Sequence, residues 1–184
     1  MSRVWLIRHA ASTAPPGLAV GATDPPLSDQ GREQARRLAA TMASRPLVRI
    51  LSSDRQRALD TARILAEQHG LVVEPSVALR EIDFGAWEGR SLSDLWRQEP
   101  AAAKAWTDDI RLTPQSFGES LDDLQRRVAG FWALLLPLPD LGEIVVVAHG
   151  GSLAALTAVI TGEPIPDTFA ARLPLAGAIE LTTG

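Results

Sequence analysis

The chain has 184 residues, 46% of them hydrophobic and 22% charged, with a net charge of -4 at pH 7. That composition suits one soluble domain, and a chain of this length buries roughly 70% of its unfolded surface, enough for a core without a disulfide or metal staple. With no cysteine, a disulfide framework, a zinc ribbon, a thiol redox centre and a cysteine nucleophile are excluded, while the negative charge argues against nucleic acid or an anionic membrane as partner. A local basic pocket stays possible, and the default address of such a chain is cytoplasmic.

Residues 3–7 predict a short strand running into Arg8 and His9, because a compact apolar run ends abruptly in charge. The run Val4-Trp5-Leu6-Ile7 is too short for the apolar core of an export signal. Residues 14–26 are rich in Pro, Gly and Ala and read as loop. Ser28 offers an N-cap with Asp29 in the first turn, and Ala35, Leu38, Ala39 and Met42 recur at helical spacing. A helix to about Ala43 follows, with Arg32, Arg36 and Arg37 facing water.

Residues 47–51 predict a second strand, Ser52-Ser53-Asp54 a turn and cap, residues 55–69 a helix ended by Gly70, and Val72-Val73 a weak third strand. Residues 91–107 and 118–136 have helical character, the second capped by Ser120 with Asp123 three residues on. The region 91–136 reads as an insertion near the sheet edge. Residues 144–148 are the clearest strand, four β-formers and an alanine, and 152–160 a helix after it. The uncharged stretch 144–162 approaches membrane-spanning length, but His149, Gly150, Gly151 and Ser152 near its middle mark it as buried strand, turn and helix. Residues 178–181 form a last strand. Strands alternating with helices, without internal repeat or linker, predict a single α/β domain: a three-layer sandwich whose largely parallel sheet is flanked by helices.

In an open α/β sheet, ligands bind beyond the carboxyl ends of the strands. Arg8-His9 and His149-Gly150-Gly151 each follow a strand, so they belong on one rim although distant in sequence. A histidine at a strand end is more often a satisfied polar residue than a reactive one, and the pattern alone leaves both readings open.

An ordered series of short motifs spans nearly the whole chain. It runs through Leu6-Ile7-Arg8-His9, then Gly21, Asp24-Pro25-Pro26-Leu27-Ser28 and Gly31, then Ser52-Ser53-Asp54, Arg57-Ala58 and Thr61-Ala62. Leu79-Arg80-Glu81, Phe84-Gly85, Trp87-Glu88-Gly89, Gly118-Glu119-Ser120 and Val147-Ala148-His149-Gly150-Gly151 complete it. The series resembles the histidine phosphatase superfamily, which includes cofactor-dependent phosphoglycerate mutases and α-ribazole phosphatases, and implies a phosphoglycerate mutase-like fold. The departure is Ala10. The family's usual tripeptide is Arg-His-Gly, and here a methyl group stands where glycine would let the backbone approach a ligand or take positive φ. The side chains tied to chemistry are all retained, so the change reads as a subfamily variant, with an inactive pseudoenzyme as the alternative.

The resemblance implies His9 as a nucleophile that attacks phosphorus to give a phosphohistidine, splitting one difficult displacement into two easier ones. It implies Arg8, Arg57 and His149 around the phosphoryl oxygens, where cationic donors suit a transition state that spreads negative charge. It implies Glu81 as the acid that protonates the leaving alkoxide and later activates water. The family pattern picks Glu81 out from Asp83 and Glu88; taken alone it would rank as a surface carboxylate on a loop. Ser12, Gly21, Gly150 and Trp87 are the expected substrate-binding positions.

Other residues have plainer readings. His69 before Gly70 suits a helix C-terminus. Trp5, Trp96 and Trp132 read as core, Trp87 and Trp106 as core or substrate-facing, and Arg126-Arg127 as a solvated face. No His-rich spacing, carboxylate cluster or phosphate-loop glycine pattern points to a metal or nucleotide, and the implied chemistry needs no cofactor.

The expected activity is hydrolysis of a small-molecule phosphate ester, with neither nucleic acid nor membrane as partner; oligomeric state is not legible. A mutase must exclude water while its substrate reorients, which calls for lid structure. Only Thr182-Thr183-Gly184 follow the last predicted strand, so hydrolysis is favoured over mutase chemistry. Ala10 and Ala11 motivate a third reading, a non-catalytic phospho-ligand binding module. The pattern Phe84 to Gly89 followed by Gly118-Glu119-Ser120 is most similar to α-ribazole phosphatases, with broad-specificity phosphatases close behind. A bulky aromatic nucleoside needs a flat apolar wall, for which Trp87 or Trp106 is available.

Overall fold

The structure is a computed structural model that describes residues 2–109, 118–136 and 142–183. Strands β1 (Ser2–Arg8), β2 (Leu47–Ser53), β3 (Val73–Ser76), β4 (Glu143–Ala148) and β5 (Ala178–Thr183) form one sheet in the order β3-β2-β4-β1-β5. β1, β2, β3 and β4 run parallel, and β5 pairs antiparallel with β1 at the edge. Pro75 is tolerated in β3 because that strand is the other edge, where a missing N–H breaks no ladder.

Helices α1 (Asp29–Met42) and α2 (Gln56–His69) cover one face, packing Ala39, Met42, Ala58, Ala62 and Leu65 on Ile7, Ile50, Val145 and Val147. On the other face, α5 (Leu121–Leu135) and α6 (Gly150–Thr161) bury Leu121, Leu124, Val128 and Leu156 against Val4, Leu6, Ile144 and Val146. Alternate residues of β1 and β4 thus supply opposite faces, as the pleat requires. Every residue of β4 is buried, which explains its unbroken apolar run. Each fully buried aliphatic side chain contributes roughly 1.5–3 kcal/mol, so this central strand carries much of the stability.

The predicted helix over 91–107 is two helices, α3 (Leu92–Gln98) and α4 (Pro100–Asp108), parted because Pro100 cannot continue the hydrogen-bond ladder of α3 but suits a first turn. They pack around Trp87, Leu95 and Ala103 in a cluster of their own. α5, expected as part of the insertion, instead belongs to the helical layer; of the region 91–136, residues 110–117 lie outside the described residues. Ser120 and Asp123 form the expected capping box. A further helix, α7 (Ile165–Ala170), has no counterpart in the sequence reading; it carries Pro166 in its first turn, where proline is accepted.

Trp132 is buried as expected, and Trp5 is half-buried, donating to Glu143 at 2.7 Å under the guanidinium of Arg45. Trp96 is not core. It is 46% exposed, because α3 turns the adjacent Leu95 inward. Among the described residues, no helix is long and apolar enough to cross a membrane.

Candidate active site

The parallel register brings the two histidines together. Arg8 pairs with Ala148 across β1 and β4, and Ser52 with Val147 across β2 and β4, so His9, Ser53 and His149 emerge side by side at the carboxyl rim. The His9 N–H extends the ladder to Ala148 O at 2.9 Å. Its Nδ1 lies 2.8 Å from the Ala10 carbonyl. A carbonyl only accepts, so Nδ1 carries the proton and Nε2 keeps its lone pair. Burial, assisted by the nearby Arg57 and Arg8 charges and opposed by the Ala10 bond, lowers the His9 pKa to about 3.

His149 is fully buried, its ring centroid 5.0 Å from that of His9 at an interplanar angle of 62°. Burial first, then the proximity of His9, Arg57, Arg127 and Arg55, holds its pKa well below the ordinary histidine value. Its Nε2 lies 2.8 Å from Ser53 Oγ. Two buried atoms at this rim, Arg8 Nε and His149 Nδ1, have no hydrogen-bond partner among the described residues. Buried polar atoms are usually satisfied in folded chains, so both can take a partner from water or a bound molecule.

Arg57 enters from the first turn of α2 and is almost wholly buried. It donates to Thr23 O at 2.8 Å, Val20 O at 3.3 Å and Gly21 O at 3.4 Å, and lies 3.7 Å from Asp24. Asp24 in turn accepts the Gln56 N–H at 2.8 Å, capping a helix whose own N-cap, Arg55, offers no acceptor. The loop before α1 is therefore sewn to the helix that carries Arg57.

Glu88 secures the same loop from the other side, its carboxylate accepting from Gly21 N, Ala22 N, Thr23 N, Thr23 Oγ1 and Phe84 N. Gly21 reads as a packing position: a Cβ there would fall 1.8 Å from the Ile82 carbonyl. The carboxylate of Glu81 sits over the first turn of α6. It accepts from Gly151 N at 3.0 Å on both oxygens and from Ser152 N at 3.2 Å on Oε1.

Arg8 donates to Leu173 O at 2.8 Å. A Cβ on Gly150 would press to 3.3 Å on both Arg8 Cζ and Arg172 Cδ, so glycine there leaves room for two arginine side chains. Ser12 is partly exposed and bridges to Leu27. Trp87 is 1% exposed and donates to Glu99, so the flat wall expected of it is turned into protein; Trp106 packs edge-on against it.

Ala10 needs no special backbone. Ala176 is the one non-glycine residue with positive φ among the described residues. The Ala10 methyl is buried with Leu27 and Ala35, and its N–H donates to Thr61 Oγ1 at 3.1 Å.

Arg127, expected on a solvated face, is instead a strut. It pairs with Glu119 through two bonds and donates to Ala78 O at 2.7 Å and Glu81 O at 3.0 Å, whereas Arg126 is exposed as expected and pairs with Asp123. The sequence reading gave Ser53 a place in a turn and cap, where the structure has it end β2 beside His149, and assigned no role in the site to Arg55 or Arg172. The signal for Ser53 was its place in the Ser52-Ser53-Asp54 motif; helical periodicity gave no such signal for Arg55 or Arg127. Beyond Glu81 opens a cavity of about 370 Å³ lined by Ala22, Arg55, Val77, Arg80, Asp83 and Arg127, among others. Among the described residues no three His, Asp or Glu side chains group so as to hold a metal ion.

Known proteins resemble this chain over nearly its whole length. Residues 4–184 match the Histidine phosphatase superfamily (branch 1). Glucosyl-3-phosphoglycerate phosphatase of Mycolicibacterium vanbaalenii is 36% identical over 172 residues, covering 90% of this chain and 76% of that one. Adenosylcobalamin/alpha-ribazole phosphatase of Salmonella typhimurium is 32% identical over 172 residues, covering 93% and 85%. The solved structure of a mycobacterial glucosyl-3-phosphoglycerate phosphatase with VO3 superposes with a TM-score of 0.90 at 34% identity, covering 99% of this chain and 93% of that one. A match of this extent makes the protein a member of the histidine phosphatase superfamily, branch 1.

Proposed function

We propose that the protein is a phosphomonoesterase that hydrolyses a small phosphate ester through a phosphohistidine on His9. The observation that carries this reading is the His9–Ala10 bond, which leaves Nε2 unprotonated in a pocket that keeps the imidazole neutral. Nε2 attacks phosphorus, the bond from phosphorus to the ester oxygen breaks, and Glu81 as a carboxylic acid gives its proton to the departing alkoxide. Water then attacks the phosphohistidine, returns a proton to Glu81 and releases phosphate. Arg8, Arg57 and His149 hold the phosphoryl oxygens, each charge-assisted bond contributing about 1.5–3 kcal/mol. The unpartnered Arg8 Nε and His149 Nδ1 support this role. Ser12 and Gly150 border the phosphoryl site.

The test is brief incubation with a labelled phosphodonor and quenching at alkaline pH, where phosphohistidine survives. Wild type retains label and His9→Ala retains none; label persisting in His9→Ala overturns the assignment. For the alcohol portion, α-ribazole 5′-phosphate and glucosyl-3-phosphoglycerate are the candidates that relatives' names supply. The burial of Trp87 weakens the first, since that indole offers no open face for a nucleoside.

A further inference from the structure

We infer that Arg55 is a specificity-determining residue that binds a carboxylate on the leaving alcohol, so that the preferred substrates are phosphate esters of hydroxy acids. The inference rests on the phosphomonoesterase reading of the adjoining site and adds the chemistry of the group being released.

The cavity of about 370 Å³ begins at Glu81, the residue placed to protonate the leaving oxygen, so it is where the alcohol portion lies. Its size falls at the small end of ligand sites, roughly 300–1,000 Å³. Three arginines line it, and two are already neutralised. Arg80 forms a two-bonded pair with Asp54, at 2.7 and 2.5 Å, and Arg127 one with Glu119. Arg55 has no carboxylate partner among the described residues, and its Nε is buried without a hydrogen bond.

The N-cap backbone of Arg55 is fixed by the Ala58 and Leu59 N–H groups, both 2.9 Å from its carbonyl, so its stem is anchored at the wall of the cavity it lines. A planar fork with unused donors matches a carboxylate bidentately. A neutral aromatic base would leave that cation unpaired in a partly dehydrated space, which is costly. Asp83, on the same wall, repels the carboxylate from its own side and suits hydroxyl groups.

A matched pair of probes isolates the carboxylate. 3-Phosphoglycerate and glycerol 3-phosphate differ mainly in a carboxylate against a hydroxymethyl group. Wild type is expected to favour 3-phosphoglycerate in kcat/KM by tenfold or more, Arg55→Leu to reduce that ratio at least tenfold, and Arg55→Lys to restore part of it. A ratio unchanged in Arg55→Leu overturns the proposal, whether both rates fall together or neither does, as does a wild type without preference. Calorimetric binding of the two probes to His9→Ala, against the same background carrying Arg55→Leu, reads the preference without turnover. If wild type hydrolyses neither probe and traps no label, the phosphatase reading fails, while the binding ratio still decides the role of Arg55.

Discussion

Arg127 donates through Nη2 to the backbone carbonyl of Glu81 at 3.0 Å, from a guanidinium locked to Glu119. The bond fixes the main chain of Glu81 rather than its carboxylate, and the Ala78 carbonyl is held by the same side chain. Arg127→Met removes all of these contacts. It should lower the unfolding free energy by about 2 kcal/mol, because two carbonyls and a partly buried carboxylate lose their partner. It should also slow esters of poor leaving groups about tenfold more than aryl phosphates. Urea titration and paired rate measurements check this; an equal slowing of both substrates assigns Arg127 to folding alone.

Glu81 and Arg57 should separate by leaving group. Glu81→Gln cannot supply a proton, so it should slow alkyl phosphates on the order of 100-fold while aryl phosphates, whose leaving group needs none, change far less. Arg57→Ala removes a charge from the phosphoryl group itself and frees the 20–24 loop, so it should impair both classes by similar factors and weaken inhibition by free phosphate. Equal losses in Glu81→Gln would move the acid to Asp83, since Glu88 is engaged by the 21–23 backbone.

Stability should depend on pH through His9, held at about 3 against an ordinary 6.5. Between these values the unfolded chain binds a proton that the folded chain refuses, so acid favours unfolding. The contribution is complete above pH 6.5 and declines as pH falls to about 3. Relative to His9→Asn, wild type should lose up to ~1.4 kcal/mol per pH unit across that window. Urea midpoints at pH 7.5, 6 and 5 measure it, and a difference that does not vary with pH contradicts the assignment.

Ala10→Gly tests the departure from the family tripeptide. The methyl is buried and its backbone is not left-handed, so the change should cost about 1 kcal/mol in stability through lost packing and added chain entropy. Turnover of an aryl phosphate should stay within about twofold. A large gain in activity would show that the methyl obstructs the site.

Much of this molecule was written in its local sequence. Ser28 and Ser120 announced their caps, the apolar run 144–148 announced a strand buried on both faces, and the Asp24-Pro25-Pro26 and His149-Gly150-Gly151 motifs marked the segments that border the site. These features depend on neighbours a few residues away, so periodicity and turn chemistry reveal them. The pairing of Arg127 with Glu119 and with the Glu81 carbonyl, the outward turn of Trp96, the burial of Trp87 and the place of Arg55 on the cavity wall depend on which elements meet in space. An arginine on a helix has the same propensity whether it faces water or a carboxylate, and only the packing of α5 and α2 against the sheet rim separates the strut at Arg127 from Arg55, which forms no close ion pair among the described residues.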